Sequence, residues 1–310
     1  MRSFSSNDGK LPADNKLPFV SVIVPAYNSE KFVAECIECL LRQDYPRDRF
    51  EIIVVDNGST DGTIEKISAF NELLILFETD IRSSYAARNR GLDSARGDII
   101  AFTDSDCTPE PDWISSGVRC LEEMDAELAG GRVKFKYSSK CTASELIDSF
   151  SNMQIETDIR ERNVAKTANL FCRNSVFENI GSFLSTARSG GDVEFTKRAT
   201  DEGLKLIFCS QAVVGHPARR FRELVRKSFR TGYGKVNIGS VSPLRAFAQF
   251  ARGLLSPPRF RKWAKRIEVE ELSVNSFKVV RVGFMRHFVD SVYLFGAFIG
   301  SLHANKKLNP

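Results

Sequence analysis

Two carboxylates one residue apart, Asp104 and Asp106, follow the apolar run Ile99-Ile100-Ala101-Phe102-Thr103. Their oxygens are hard ligands suited to Mg²⁺ or Mn²⁺, cations that commonly carry phosphorylated substrates. Acidic residues after a strand also serve as helix caps, so the spacing alone does not decide between the two roles. Similar groups recur elsewhere: Asp56-Asn57 after Phe50 to Val55, Asp192 after Gly190-Gly191, and His216 after Ala212-Val213-Val214-Gly215. A carboxylate can take a hydroxyl proton, and a neutral imidazole can bind a metal. Asp192 serves equally well as N-cap of a helix from Val193 to Gly203, and His216 as a hydrogen-bonded strand-end residue.

A regular alternation of elements positions these groups. Phe19 to Val24 reads as a first buried strand broken by Pro25, and Ser29 as the cap of a helix carrying Phe32, Val33, Cys36, Ile37, Leu40 and Leu41 at helical spacing. Phe50 to Val55 and Leu73 to Phe77 read as two more strands, followed by a helix from Ser84 to Arg96 with Gly97 at its C′ position. The strand before Asp104 is then the fourth β of a β-α-β-α-β-α-β series, with Pro109 and Pro111 ending its pairing. Such a series means α/β architecture: a mixed, mainly parallel sheet with helices on both faces, whose strand carboxyl ends bind ligands. Later segments read as a helix from Trp113 to Met124, strands at Ala129 to Phe135 and Thr167 to Arg173, and a short helix from Asn174 to Ile180. A polar helical stretch without a core face covers Thr142 to Asn163, and a strand pair ends at His216.

The chain has 310 residues, 42% hydrophobic and 27% charged, which is the balance of an ordinary folded protein. Its net charge of +5 is too small to argue for nucleic acid. The seven cysteines are scattered and read as small buried hydrophobes in a reducing compartment, giving a cytoplasmic expectation. Residues 1–16 are expected to be a disordered lead-in, 17–235 the main domain and 236–310 a helical C-terminal extension. In that extension the longest predominantly apolar run, Ser291 to Leu302, has twelve residues, against the roughly 20 needed to span a bilayer. Phe284, Phe288, Tyr293, Leu294, Phe295, Phe298 and Ile299 lie between basic flanks (Arg259, Arg261, Lys262, Lys265 and Arg266 before, Lys306 and Lys307 after). That pattern suits a peripheral helix on the inner face of the cell membrane; a cap on the core or a dimer contact is the alternative.

Taken in order, Val22-Ile23-Val24-Pro25-Ala26-Tyr27-Asn28-Ser29-Glu30, Val54-Val55-Asp56-Asn57-Gly58-Ser59-Thr60-Asp61, Ala87-Arg88-Asn89-Arg90-Gly91-Leu92, Asp104-Ser105-Asp106, Ala168-Asn169-Leu170 with Gly181-Ser182-Phe183, Gly190-Gly191-Asp192 and Val213-Val214-Gly215-His216 resemble the family 2 nucleotide-sugar glycosyltransferases of the GT-A fold. The resemblance covers about Pro18 to Tyr233. It implies transfer of a sugar from a nucleotide-diphosphate sugar to an acceptor hydroxyl on a glycan or lipid-linked molecule, with inversion and a divalent metal. It implies that Pro25, Tyr27, Asn28 and Glu30 bind the nucleoside, that Asp56 and Asn57 meet the base or ribose, and that Arg88 reaches the diphosphate. Asp104 and Ser105 would lie against the donor, Asp106 and His216 on the metal, and Asp192 would be the catalytic base. Two departures matter: Asn57 stands where many relatives carry a second Asp, and Gly191 where they carry Glu. A nucleotidyltransferase is the first rival, but the loop after strand one lacks a Gly-rich, basic character. An inactive binding protein on the same fold is the second, and it should have lost Asp106 or Asp192.

Overall fold

The computed structural model describes residues 17–235, 242–256 and 276–308. The expected lead-in, the break at Pro257-Pro258 and the basic run Arg259 to Arg266 lie outside the described residues. The first half alternates as read: β1 Val20–Ala26, α1 Val33–Leu41, β2 Phe50–Asp56, α2 Thr63–Ser68, β3 Leu73–Phe77, α3 Ser84–Leu92 and β4 Ile99–Thr103. Then come β5 Thr108–Pro109, α4 Trp113–Glu123, β6 Leu128–Lys136, α5 Ala143–Ser151, α6 Ile155–Arg162, β7 Asn169–Arg173 and α7 Ser175–Ile180. The series closes with α8 Gly191–Asp201, β8 Leu206–Pro217, α9 Phe221–Lys235, α10 Pro243–Leu255 and α11 Ser276–Leu308.

Among the described residues the strands form one sheet in the order β3-β2-β1-β4-β7-β6-β8-β5. β1 pairs in parallel with both β2 and β4, so the strand order reverses at β1 and opens a crevice at its carboxyl end. Every side chain of β1 and β4 is buried, as expected for strands covered on both faces. The turns that carry Tyr27 and Asp104 both leave the sheet at this reversal. β7 runs antiparallel between β4 and β6, and β6 lies parallel to β8 with a register shift between Gly131 and Arg132. Asn169 fills that irregularity. Its amide donates to the Arg132 and Ala212 carbonyls at 2.9 Å each, and its Oδ1 accepts the Trp113 indole N–H at 2.8 Å.

Several sequence readings need correction. Pro25 does not break β1; it pairs with Val55 on one side, and the ladder to β4 has already ended at Ile23, so no partner needs its missing N–H. Pro109 likewise pairs, in the two-residue edge strand β5 against Val214 of β8. Residues 206–217 are one strand rather than a pair, and α3 stops at Leu92 instead of Arg96. The stretch Thr142 to Asn163 is two helices, and α5 is buried along its whole length. Its apolar stripe, Ala143, Leu146, Ile147 and Phe150 at i, i+3, i+4 and i+7, packs against Leu224 of α9 and Val282 and Val289 of α11, and its polar side chains from Ser144 to Ser149 are covered as well. The C-terminal helices thus share a core with the sheet domain's own inserted helix.

The cysteines also differ from expectation. Cys120 of α4 and Cys209 of β8 form a disulfide across a sequence separation of 89, with Cα atoms 6.0 Å apart. No local spacing announces this pair, because only the packing of α4 on β8 brings it together. The cysteines therefore supply no argument for a reducing compartment. Alkylation of the denatured protein without reductant should label five of the seven cysteines, and all seven after reduction. Cys120→Ser is expected to lower unfolding free energy by about 2–4 kcal/mol, measured by denaturant titration.

Candidate active site

A cavity of about 870 Å³ opens at the sheet reversal. One wall comes from the β1 turn, with Pro25, Tyr27 and Asn28; the floor is Asp104, Ser105 and Asp106 after β4. Ser84, Tyr85 and Arg88 of α3 and the loop entering α8, with Ser189, Gly190 and Asp192, form the second wall. The third comes from α9, through Lys227 and Arg230, with Arg219 just before it.

Tyr27 is 49% exposed, so its ring is open to stacking on a ligand. Asn28 adopts a left-handed backbone (φ 48°), and its Oδ1 accepts from the Thr60 N–H at 2.8 Å, tying the β1 turn to the turn after β2. Glu30 lies outside the cavity lining and accepts from the Gly62 N–H at 3.3 Å. Asp56 and Asn57 lie outside the lining as well. Asp56 Oδ2 accepts from the Gly58 and Ser59 N–H groups, while its buried Oδ1 has no partner. Asn57 spends its amide on the Glu78 and Ile81 carbonyls.

Ser29 does not cap α1 with its hydroxyl. Its carbonyl accepts from the Phe32 and Val33 N–H groups, and its Oγ meets Ser105 Oγ at 2.7 Å, holding the floor to the first wall. Arg88 is only 3% exposed; its guanidinium pairs with Asp104 Oδ1 at 2.5 Å and donates to the Ser84 carbonyl at 3.2 Å. Its first role in this arrangement is therefore to fix Asp104.

Asp192 sits in the first turn of α8, whose N-cap is Gly190, so it is not the cap itself. Gly190 has φ 79°, a left-handed geometry that favours glycine. Asp192 Oδ1 accepts from the Val193 N–H at 2.9 Å and the Tyr85 hydroxyl at 3.2 Å, which leaves Oδ2 without a hydrogen bond among the described residues.

His216 is fully buried, and burial holds it below the ordinary imidazole value against the opposing pull of Asp106. Its Nε2 lies 3.6 Å from Asp106 Oδ2 and 3.2 Å from an Arg219 nitrogen. Arginine can only donate, so Nε2 is the accepting nitrogen and Nδ1 carries the proton, buried without a partner. A carboxylate oxygen and an imidazole lone pair at this separation fit two positions on one divalent cation with bonds of about 2.1 Å. No third His, Cys, Asp or Glu joins them among the described residues, so the remaining positions suit phosphate and water oxygens. The same two atoms face the Arg219 guanidinium, which a cation would displace.

The sequence reading missed Tyr85, Asp148, Lys227 and Arg230. Asp148 is fully buried on α5 and gathers the Arg219 side chain at 3.4 Å, the Arg219 N–H at 3.0 Å and the Lys227 ammonium at 3.7 Å. Only the fold brings α5 and α9 together, although Arg219's place three residues after His216 was a usable hint.

A mixed sheet reversing at β1, with an Asp-x-Asp turn on the floor of its crevice, places the molecule among the sugar-transferring enzymes of the GT-A fold. Residues 21–179, half of the chain, match the profile described as Glycosyl transferase family 2, and the chain belongs to that family. It is 44% identical over 242 residues to the glycosyltransferase AglE of Haloferax volcanii, covering 77% of this chain and 80% of that one. The fold is shared with a Pyrobaculum calidifontis mannosyltransferase solved with GDP-Man and Mn²⁺ (TM-score 0.63, 20% identity, 94% of this chain and 89% of the other). It is shared also with residues 1–349 of Staphylococcus aureus TarS in complex with UDP-GlcNAc (TM-score 0.52, 18% identity, 93% and 92% covered). The protein is a glycosyltransferase, and the expected fold and enzyme class both hold.

Proposed function

We propose that the cavity transfers a glycosyl group from a nucleotide-diphosphate sugar to an acceptor hydroxyl with inversion, assisted by Mn²⁺ or Mg²⁺. The observation that carries this reading is Asp192, whose Oδ2 has no hydrogen bond among the described residues and which shares a cavity with Asp106, backed by the buried His216 at 3.6 Å. Tyr27 stacks on the nucleobase, and the unpartnered Asp56 Oδ1 stands ready for a base or ribose donor if the first turn opens toward it. Asp106 and His216 hold the cation; when bound, it neutralises charge growing on the diphosphate leaving group. Asp104 and Ser105 keep the floor in place beneath the donor. Asp192 removes the acceptor proton as that oxygen attacks the anomeric carbon. Of the three carboxylates lining the cavity, Asp104 is committed to Arg88 and Asp106 faces His216 and Arg219. That leaves one for proton transfer and none as a second nucleophile, which favours direct displacement. A panel of UDP- and GDP-sugars with Mn²⁺ or Mg²⁺ tests this: release of nucleoside diphosphate with one sugar family is expected, and silence with all of them overturns it.

The acceptor reaches the cavity from a membrane surface in this reading. α11 contains a 24-residue stretch, Val280–His303, long and apolar enough to cross a bilayer by length and composition, and only about a third of its most apolar part is buried within the protein. One face is fixed: Gly296 and Gly300 lie against the Phe229 and Tyr233 carbonyls of α9, and Gly232 against that of Tyr293, where no side chain fits. The other face, with α10, leaves Leu255 (85% exposed), Leu244 (79%) and Phe284 (59%) in the open. So broad an apolar surface suits contact with the headgroup and acyl boundary. Full-length protein should float with anionic liposomes and Leu255→Glu/Phe284→Glu should not; equal flotation overturns the contact. Deleting α11 is a poorer test, because it would uncover α5 and α9.

A further inference from the structure

The cavity holds more positive charge than its donor needs. Besides Arg88, which is held by Asp104, five cations line it: Arg162, Lys166, Arg219, Lys227 and Arg230. Two carboxylates beyond the floor pair with them, and a third, Asp192, lines the cavity without an ion pair among the described residues. Arg162 and Lys166 share Asp158, at 2.9 and 3.8 Å, and Arg219 and Lys227 share the fully buried Asp148. Arg230 has no ion-pair partner among the described residues. A donor diphosphate and a divalent cation cancel one another, so the excess is not accounted for by the donor. Burial pulls the Lys227 ammonium down to about 7, with Arg219 pushing the same way and Asp148 resisting. Such a group gains full charge when an anion joins it.

The position of this excess is informative. α9 begins beside Arg219 at the Asp106–His216 corner, and its far end rests on the loop before Asp192, with Gly234 against Ser189. Lys227 and Arg230 are one helical turn apart between those two points, on one side of the helix. An acceptor must occupy the same interval, since its hydroxyl lies between the base and the sugar held at the cation.

Resting on the transfer reading above, we infer that the acceptor carries a phosphate close to its reacting sugar or alcohol, and that Lys227 and Arg230 recognise it. A phosphomonoester bears about −1.5 to −2 charges near pH 7 and offers three acceptor oxygens. It therefore matches several convergent cations better than a single carboxylate does. Arginine grips it as a planar fork and lysine as a point charge. A phosphate on a lipid and a phosphate on a soluble sugar present the same group, and the probes below separate them.

The test is titration calorimetry on full-length protein saturated with Mn²⁺ and with whichever of UDP and GDP binds. Octyl phosphate, glucose 1-phosphate, glucuronate and octyl glucoside serve as probes. Octyl phosphate or glucose 1-phosphate should bind at least about tenfold more tightly than octyl glucoside and glucuronate. The tighter of the two phosphates identifies a lipid or a soluble source. Lys227→Gln and Arg230→Gln should each weaken the phosphates about tenfold and leave octyl glucoside and the nucleotide unchanged. Arg230 is exposed, so its variant keeps the fold even where a variant of the half-buried Lys227, which pairs with Asp148, does not. Phosphates binding no better than octyl glucoside or glucuronate would overturn the inference. So would phosphate binding that appears only in the absence of nucleotide, since the cations would then belong to the donor. If neither nucleotide binds while octyl phosphate does, the donor placement fails and the anion site stands.

Discussion

Asp192→Asn should cut glycosyl transfer by about 10²–10⁴ while donor binding and the fold persist. The substitution keeps the side chain's volume and its acceptor oxygen, so the contacts with the Val193 N–H and the Tyr85 hydroxyl can survive. What disappears is the ability to take up a proton at the second oxygen. A purely structural Asp192 would give the opposite pattern, losing about 1 kcal/mol of stability at the helix start and keeping turnover. Tyr85→Phe separates orientation from chemistry. It removes one hydrogen bond to a charged group, worth about 1.5–3 kcal/mol, and should lower kcat by roughly tenfold or more with KM for the donor unchanged. Burial pushes the Tyr85 phenol up, with the Asp192 charge adding to it, so this hydroxyl stays a donor throughout the working pH range. Chemical quench of single turnovers, together with thermal melts of both variants, decides between these outcomes.

The first four strands were legible because each is a short, fully apolar run bounded by turn residues. In a parallel sheet covered on both faces, that pattern and the chain's connectivity are almost the same information. The prolines misled for a definite reason. A missing N–H matters only where a neighbouring strand asks for it, and at Pro25 the ladder to β4 has already ended. α5 misled in the opposite direction. Its apolar residues Ala143, Leu146, Ile147 and Phe150 do recur at helical spacing, but the stripe is diluted when the polar α6 is read with it as one stretch.

The site divides along the same line. Residues on strand-end turns were found from the sequence, because the turn itself brings Tyr27, Asp104, Asp106 and Asp192 to one crevice. Arg88 lines the cavity and Glu30 does not, yet both act on protein groups, Asp104 and the Gly62 N–H, and sequence motifs do not distinguish such partners from a ligand. Lys227 and Arg230 sat in a broadly basic helix where no single cation stood out. The place of Lys227 depends on the buried Asp148, 79 positions earlier, and Arg230 is set apart by having no such partner among the described residues. The Cys120–Cys209 bond is invisible to spacing for the same reason.

Asp106→Ala should abolish donor turnover, with a loss of about 10³-fold or more, since a cation's stabilisation of a departing diphosphate is worth several kcal/mol. The fold should survive. Asp106 is partly exposed, and its ion-pair contacts with His216 and Arg219 are long, at 3.6 and 4.0 Å. Arg219 keeps Asp148 when Asp106 is removed, so no cation is stranded. His216 calls for a gentler change, because the ring is fully buried against Phe135 and truncation would open a hole. His216→Gln retains bulk and an acceptor oxygen while replacing the imidazole, and it should require a higher Mn²⁺ concentration for half-maximal rate. The readouts are nucleoside diphosphate release across a Mn²⁺ titration and Mn²⁺-induced stabilisation of each variant without substrate. Full turnover in excess EDTA would remove the cation from the reaction altogether. An unchanged Mn²⁺ titration in His216→Gln alone would leave Asp106 as the cation's protein ligand and return His216 to the packing between β6 and β8, where it pairs with Phe135 in register.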